Sequence, residues 1–265
     1  MTGLPELSVV VPFFNEEQNA AAVVRELASV LTRIGRSFEL VLVDDGSVDR
    51  TAGVLVAAAR EVPGCRVLRH AGNAGQAAAL WNGLHAARGG ILVTLDGDGQ
   101  NDPSSLPDML ALLASADLVV GVRRVRHDAW PRRAMSAIAN GARRRWLRDG
   151  AHDAGCALRV FRREVLATLL PIQSLYSFIP ACAAAAGLRV VEHPVPHRPR
   201  RFGKSSYGLR VMWWRPLIDM LALGWLGRRR LPRVPVLELA GSTESQQPEG
   251  SGARLREDRQ VVPRQ

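Results

Sequence analysis

Asp96, Asp98 and Gln100 fall at alternate positions directly after the apolar run Ile91–Leu95. In an extended segment alternate residues point the same way, so three side-chain oxygens can meet one cation. Mg2+ and Mn2+ both take oxygen ligands. The chemistry this would serve is departure of a diphosphate. Breaking an anomeric C–O bond puts negative charge on the leaving oxygens, and a bridging cation lowers the barrier. Two carboxylates in a loop also describe a solvated turn, so the neighbouring motifs must decide.

Two further polar clusters follow apolar runs. Asp44-Asp45-Gly46-Ser47-Val48-Asp49 comes after Phe38–Val43, and Pro12-Phe13-Phe14-Asn15-Glu16-Glu17 after Leu7–Val11. Asp45 could accept hydrogen bonds from a base or ribose, and Phe14 could stack on a base. Ser47 or Asp49 could simply cap a helix, the more natural role for Asp49. Glu16 is either a cleft acid or a helix-start acid favoured by the dipole. Gly72-Asn73-Ala74-Gly75-Gln76 is a tight turn that lets backbone approach a ligand.

The elements that must position these clusters can be read from periodicity. Arg66–Leu68 and Leu118–Val122 join the three runs above as short, continuously apolar strands. Helical patterns lie between them at Glu16–Ile34, Asp49–Glu61, Gly75–Arg88 and Ser104–Ser115. Apolar strands alternating with helices predict a mostly parallel sheet covered on both faces, an α/β Rossmann-like domain. Ligands bind such sheets outside the carboxyl ends of the strands, where all three clusters fall. Further on, Pro131–Arg148 reads as an Arg-rich helix, Ala157–Phe161 as a strand, Ser174–Ala186 as a small-residue helix and Arg189–Val195 as a strand.

Val211–Leu226 is apolar but interrupted by Arg215 and Asp219, whereas a spanning helix needs about 20 nearly uncharged residues. With Trp213, Trp214, Trp225 and Arg228-Arg229-Arg230 it reads as an amphipathic helix lying on a membrane surface; an ordinary packed helix with a basic cap is the alternative. This divides the chain into a main domain over 1–210, an amphipathic helix and basic cap over 211–232, and a polar tail over 233–265 with the composition of disorder. No basic, hydrophobic leader precedes Leu7, and three widely spaced cysteines suit a reducing compartment, so a cytoplasmic protein is expected.

Charge is divided along the 265 residues. Residues 1–122 hold 8 arginines against 14 acids, a balance of −6, while residues 123–164 and 165–265 each come to +8. An acidic first half suits a divalent cation, and a basic remainder suits phosphate or an anionic membrane. A solvated basic face in an arginine-rich chain fits equally well. No nucleic-acid-binding module is visible and aromatic residues are only 5%, which argues against a nucleic-acid partner.

Val9-Val10-Val11-Pro12-Phe13-Phe14-Asn15-Glu16-Glu17, Val43-Asp44-Asp45-Gly46-Ser47 and Leu95-Asp96-Gly97-Asp98-Gly99-Gln100-Asn101-Asp102-Pro103 resemble family 2 glycosyltransferases of GT-A fold. With Gly121-Val122-Arg123, Asp153–Arg159 and His197–Gly208, the chain is similar to the dolichol-phosphate mannosyltransferase and bacterial polyprenyl-phosphate glycosyltransferase branch. The likeness extends over residues 7–228. It implies donor contacts from Pro12, Phe14, Glu16, Asp45, Asp96, Gly97, Asp98, Arg123, Arg200 and Lys204. It also implies metal ligation by Asp96, Asp98 and Gln100, and acceptor-phosphate contacts from Arg132 or Arg133. Asp98, Arg123 and Arg200 would be the catalytic groups. Where the family carries lysine this chain has Ser206, and its single lysine is Lys204, two residues earlier.

The expected reaction is inverting, Mg2+- or Mn2+-dependent transfer of a sugar from a GDP- or UDP-linked donor to a polyprenyl phosphate, by a protein held peripherally at the inner face of the cytoplasmic membrane. A phosphate acceptor, with a second pKa of about 6, needs no general base, and none is evident. Asp153 is either a base or the structural partner of Arg159 or another arginine. The rivals are transfer to a saccharide hydroxyl of a cell-envelope glycan and, from another class, a non-catalytic basic module binding membrane or nucleic acid.

Overall fold

A computed structural model describes residues 3–123, 141, 143, 145–147, 149–200 and 214–229. Seven strands form one sheet: β1 (Leu7–Phe13), β2 (Phe38–Asp44), β3 (Cys65–Arg69), β4 (Ile91–Thr94), β5 (Leu118–Arg123), β6 (Arg159–Arg162) and β7 (Val190–Val195). Their order across the sheet is β3-β2-β1-β4-β6-β5-β7. The helices are α1 (Ala20–Ile34), α2 (Thr51–Glu61), α3 (Gln76–Ala86), α4 (Leu106–Leu112), α5 (Leu175–Ala185) and α6 (Trp214–Arg229).

Alternation along buried strands separates two cores. Val9, Val11, Phe13, Leu40 and Leu42 face α1, α2 and α4 through Val24, Leu27, Leu31, Leu55 and Met109. Val10, Val41 and Val43 face the other way, toward Leu80 and Leu84 of α3, and the same layer continues to Phe178 and Ile179 of α5. The central strands are apolar at most positions because both of their faces are covered. That continuity is what made them legible.

The architecture predicted from sequence is the one found, with two refinements. β6 runs antiparallel to both neighbours, pairing Thr94 with Arg159 on β4 and Leu118 with Phe161 on β5. Apolar content carries no information on direction, so the pattern could not reveal this. Helix α1 begins at Ala20 rather than Glu16, because Asn15 takes a left-handed φ of 53° and Glu16–Asn19 form a turn. Glu16 is therefore not a first-turn acid.

Cys156 and Cys182 are buried and Cys65 is partly covered, and none of the three forms a disulfide. Residues 141, 143 and 145–147 are helical, within the predicted Arg-rich helix, the rest of which lies outside the described residues. So do Arg132, Arg133, Lys204, Ser206, Trp213 and the tail over 233–265.

Gly46 carries the chain off β2 with φ +69°, and a Cβ there would lie 2.4 Å from the Gly72 carbonyl carbon and 2.6 Å from the Asn73 nitrogen. Gly46→Ala combines a strained backbone with collision against immovable main chain. It should lower stability by about 2–4 kcal/mol, read as the urea midpoint shift at constant slope.

Candidate active site in the strand-end cleft

β1 is flanked by β2 on one side and β4 on the other, with β3 beyond β2, so the sheet reverses its winding between β1 and β4. The carboxyl ends of these strands open into a cleft of about 310 Å³. Pro12, Phe14, Glu16, Asp45, Asp96, Gly97, Asp98 and Arg200 line it, joined by Phe13, Asn73, Gly75 and Gln76. The three clusters singled out in the sequence do converge. Gly97 is what lets two of them touch: a Cβ there would fall 2.3 Å from the Phe13 ring and 2.8 Å from the Pro12 carbonyl oxygen.

The loops after β1 and β2 are stitched together. Asn15 N–H donates to Ser47 Oγ at 2.9 Å, and Val48 N–H to Asn15 Oδ1 at 3.0 Å. Asp49 Oδ1 accepts from Thr51 N–H at 2.9 Å and Oδ2 from Glu17 N–H at 3.3 Å, so it serves the start of α2, as its position suggested, and also braces the neighbouring loop.

Asp45 is 2% exposed and accepts four hydrogen bonds. Oδ1 takes His70 Nδ1 at 2.7 Å and Ala74 N–H at 2.9 Å; Oδ2 takes Asn73 Nδ2 at 2.9 Å and Gly75 N–H at 2.8 Å. A carboxylate has about four acceptor positions, and protein donors take up all of them. Asp45 thus reaches the cleft as predicted, with the 70–75 turn wrapped around its carboxylate. His70 and Asn73 were missed as its partners. The only signal was the Gly-rich turn, which gives backbone freedom without naming what it wraps.

The acidic floor is tense. Burial, then the neighbouring Asp98, push the Asp96 carboxyl up to about 7, against the pull of Arg159, a 2.6 Å bond from Gln76 Nε2, and Arg123. Burial likewise raises Glu16, opposed by a bond from Asn19 and by Arg200. Arg200 Nη2 lies 2.7 Å from Asp98 Oδ2, and Nη1 lies 3.7 Å from Glu16 Oε1. A cationic group already sits among these carboxylates, which is the fit expected of a seat for positive charge.

Gln100 is placed differently from its neighbours. It does not line the cleft, and its Nε2 donates to Arg198 O at 3.3 Å. Among the described residues no three His, Cys, Asp or Glu side chains form a metal cage. Asp96 and Asp98 still fit a Mg2+-type site, which typically uses one or two carboxylates and completes itself with water and substrate phosphate.

Asp153 is the partner of Arg123: Nε to Oδ2 at 2.7 Å and Nη2 to Oδ1 at 2.7 Å, a two-pronged pair at the end of β5. Of the sequence alternatives, a base or a partner of some arginine, the geometry gives the second, with Arg123 in place of Arg159. Arg159 is buried, donating to the carbonyls of Ala154 and Tyr176 beneath the cleft.

α6 presents an apolar outer face. Leu217, Ile218, Leu221, Trp225 and Leu226 are exposed, Trp225 by 58%, with the Arg229 guanidinium 5.5 Å from the Trp225 ring. Its inner side packs through Leu223 and Met220, and Asp219 Oδ2 accepts from Ser174 N–H at 2.9 Å. No described helix is long and apolar enough to cross a membrane.

Comparison with known proteins gives a consistent picture. An undecaprenyl-phosphate 4-deoxy-4-formamido-L-arabinose transferase of Edwardsiella ictaluri is 36% identical over 206 residues, 77% of this chain and 63% of the relative. A dodecaprenyl-phosphate galacturonate synthase of Rhizobium johnstonii is 36% identical over 224 residues, 82% of this chain and 66% of the relative. The chain thus spans about two thirds of the length of these curated relatives. Glucosyl-3-phosphoglycerate synthase of Mycobacterium tuberculosis, solved with UDP, shares the fold with a TM-score of 0.66 at 22% identity, over 83% of this chain and 80% of that one. The same enzyme with Mn2+, UDP-glucose and phosphoglyceric acid aligns with a TM-score of 0.64 at 20% identity over the same shares. Residues 8–170, well over half the chain, match the profile of glycosyl transferase family 2, and the chain belongs to that family.

Proposed function

We propose that this cleft carries out inverting transfer of a sugar from a nucleotide diphosphate sugar to a polyprenyl phosphate. The observation that carries the reading is the meeting of Glu16, Asp96 and Asp98 with Arg200 at the switch point of the sheet. The names of the polyprenyl-phosphate relatives support the acceptor class. Asp96 and Asp98 would hold Mg2+ or Mn2+, which when bound neutralises charge on the departing diphosphate.

The chain's own groups divide the remaining work. Phe14 offers a ring for the base, and the turn held by Asp45 shapes the nucleoside end. Arg200 is within reach of the diphosphate. A phosphate acceptor arrives already ionised, so it needs positive surroundings and no base. The clamping of Asp153 by Arg123 supports this, since it removes the carboxylate best placed to deprotonate a sugar hydroxyl. Arg123, Arg132, Arg133 and Lys204 are proposed to gather acceptor and donor phosphates. The exposed apolar face of α6 would lie on the cytoplasmic face of the membrane, putting the cleft within reach of a lipid-linked substrate.

Asp98→Ala should lower transfer to undecaprenyl phosphate by about a hundredfold or more with an unchanged circular dichroism spectrum; retained turnover removes the metal role. Offering a free glycan acceptor beside the lipid phosphate tests the acceptor class, and label found mainly in the glycan would refute it. The raised Asp96 gives a pH dependence. Below about 7 this carboxyl keeps its proton and must lose it when a cation binds. Affinity for Mn2+ with UDP should therefore rise with pH, by up to about tenfold per unit, and level off above about 7. Asp96→Asn should flatten that slope in calorimetric titrations. For the membrane contact, Trp225→Glu should weaken co-sedimentation with anionic vesicles roughly tenfold or more, from about 1.5–3 kcal/mol of apolar burial per side chain.

A further inference from the structure

The segment His197–Arg200 lies as a strap over the acidic loop. Asn101 and His197 form a β-bridge, and Arg198 N–H donates to Gln100 O at 2.9 Å. The Arg198 side chain pins the strap from outside. Its two terminal nitrogens bond both oxygens of Glu26 on α1 at 2.9 and 2.8 Å, and Nη2 also lies 2.8 Å from Asp102 Oδ2. Two residues on, Arg200 turns inward to Asp98 and Glu16. Arg198 thus spends its charge on the outer scaffold, and Arg200 spends its charge inside the cleft.

We infer that Arg200 is a tethered cation filling the charge seat of the donor-free cleft, held there by the Arg198 anchor, and that it exchanges with the divalent ion. The inference rests on the metal-and-donor reading above. A guanidinium and a divalent ion cannot both neutralise the same Asp98 oxygen, because their mutual repulsion grows steeply at contact distance. An incoming diphosphate gives Arg200 a new two-pronged anionic partner. Donor therefore draws Arg200 off Asp98 as the metal takes its place, and the two ligands assist each other to the same degree. Arg198 is a positioning residue, acting only through where it holds Arg200.

The test is Mn2+ binding to the metal-free protein, followed by loss of the free-ion electron paramagnetic resonance signal, with and without UDP. Arg200→Gln should bind Mn2+ alone at least about fivefold more tightly than the parent, the low end of usual coupling between sites. Its gain from added UDP should shrink. Arg200→Lys keeps the competing charge and should stay near the parent. Arg198→Gln should shift binding in the direction of Arg200→Gln by a smaller factor; no shift removes its positioning role. Unchanged or weaker Mn2+ binding by a folded Arg200→Gln protein overturns the exchange. If the parent protein binds no Mn2+ even with UDP, the metal-dependent reading of the cleft fails, and the exchange with it.

Discussion

The constraint on which this cleft depends is the burial of carboxylates beside one another. Asp96, Asp98 and Glu16 are brought together by strand ends, and burial, reinforced by the neighbouring Asp98, holds the Asp96 and Glu16 carboxyls above their usual range. Such an arrangement costs free energy in the resting protein unless positive charge is supplied. Arg200 supplies it directly, and Arg159 and Arg123 supply it from below and from the side. The floor is stable only in company.

The rest of the fold serves to keep that cluster from relaxing. The loop after β4 cannot retreat, because Gly97 is packed against Phe13 and the Pro12 carbonyl. The loop after β1 cannot swing away, because Asn15 and Glu17 are bonded to Ser47 and Asp49 of the next crossover. Asp45 holds the 70–75 turn by four bonds, and that turn delivers Gln76 to Asp96. Each element thus restrains a neighbour's loop as well as its own, a preorganisation that leaves little to be arranged when a ligand arrives.

Most of the scaffold was legible because strands buried on both faces read as largely apolar runs. The convergence of the clusters followed from one rule about strand ends. What stayed hidden was pairing. Nothing in the spacing said that Asp45 would be consumed by a turn some thirty residues on, that Asp153 would choose Arg123, or that Gln100 would face Arg198. Those choices depend on which loops tertiary packing brings side by side. The antiparallel sense of β6 was hidden for a related reason: strand direction is decided by the connection and not by the strand.

That reversed strand has a consequence of its own. β5 leaves the sheet at Arg123 and β6 re-enters at Arg159, which pairs with Thr94 on the same rim as Asp96 and Asp98. The two ends of the connection between them, Arg123 and Arg159, both belong to strands on this side of β4. The pairing of β1 with β2 and β4 is set by other residues, so the register of those strands does not depend on the length of this connection.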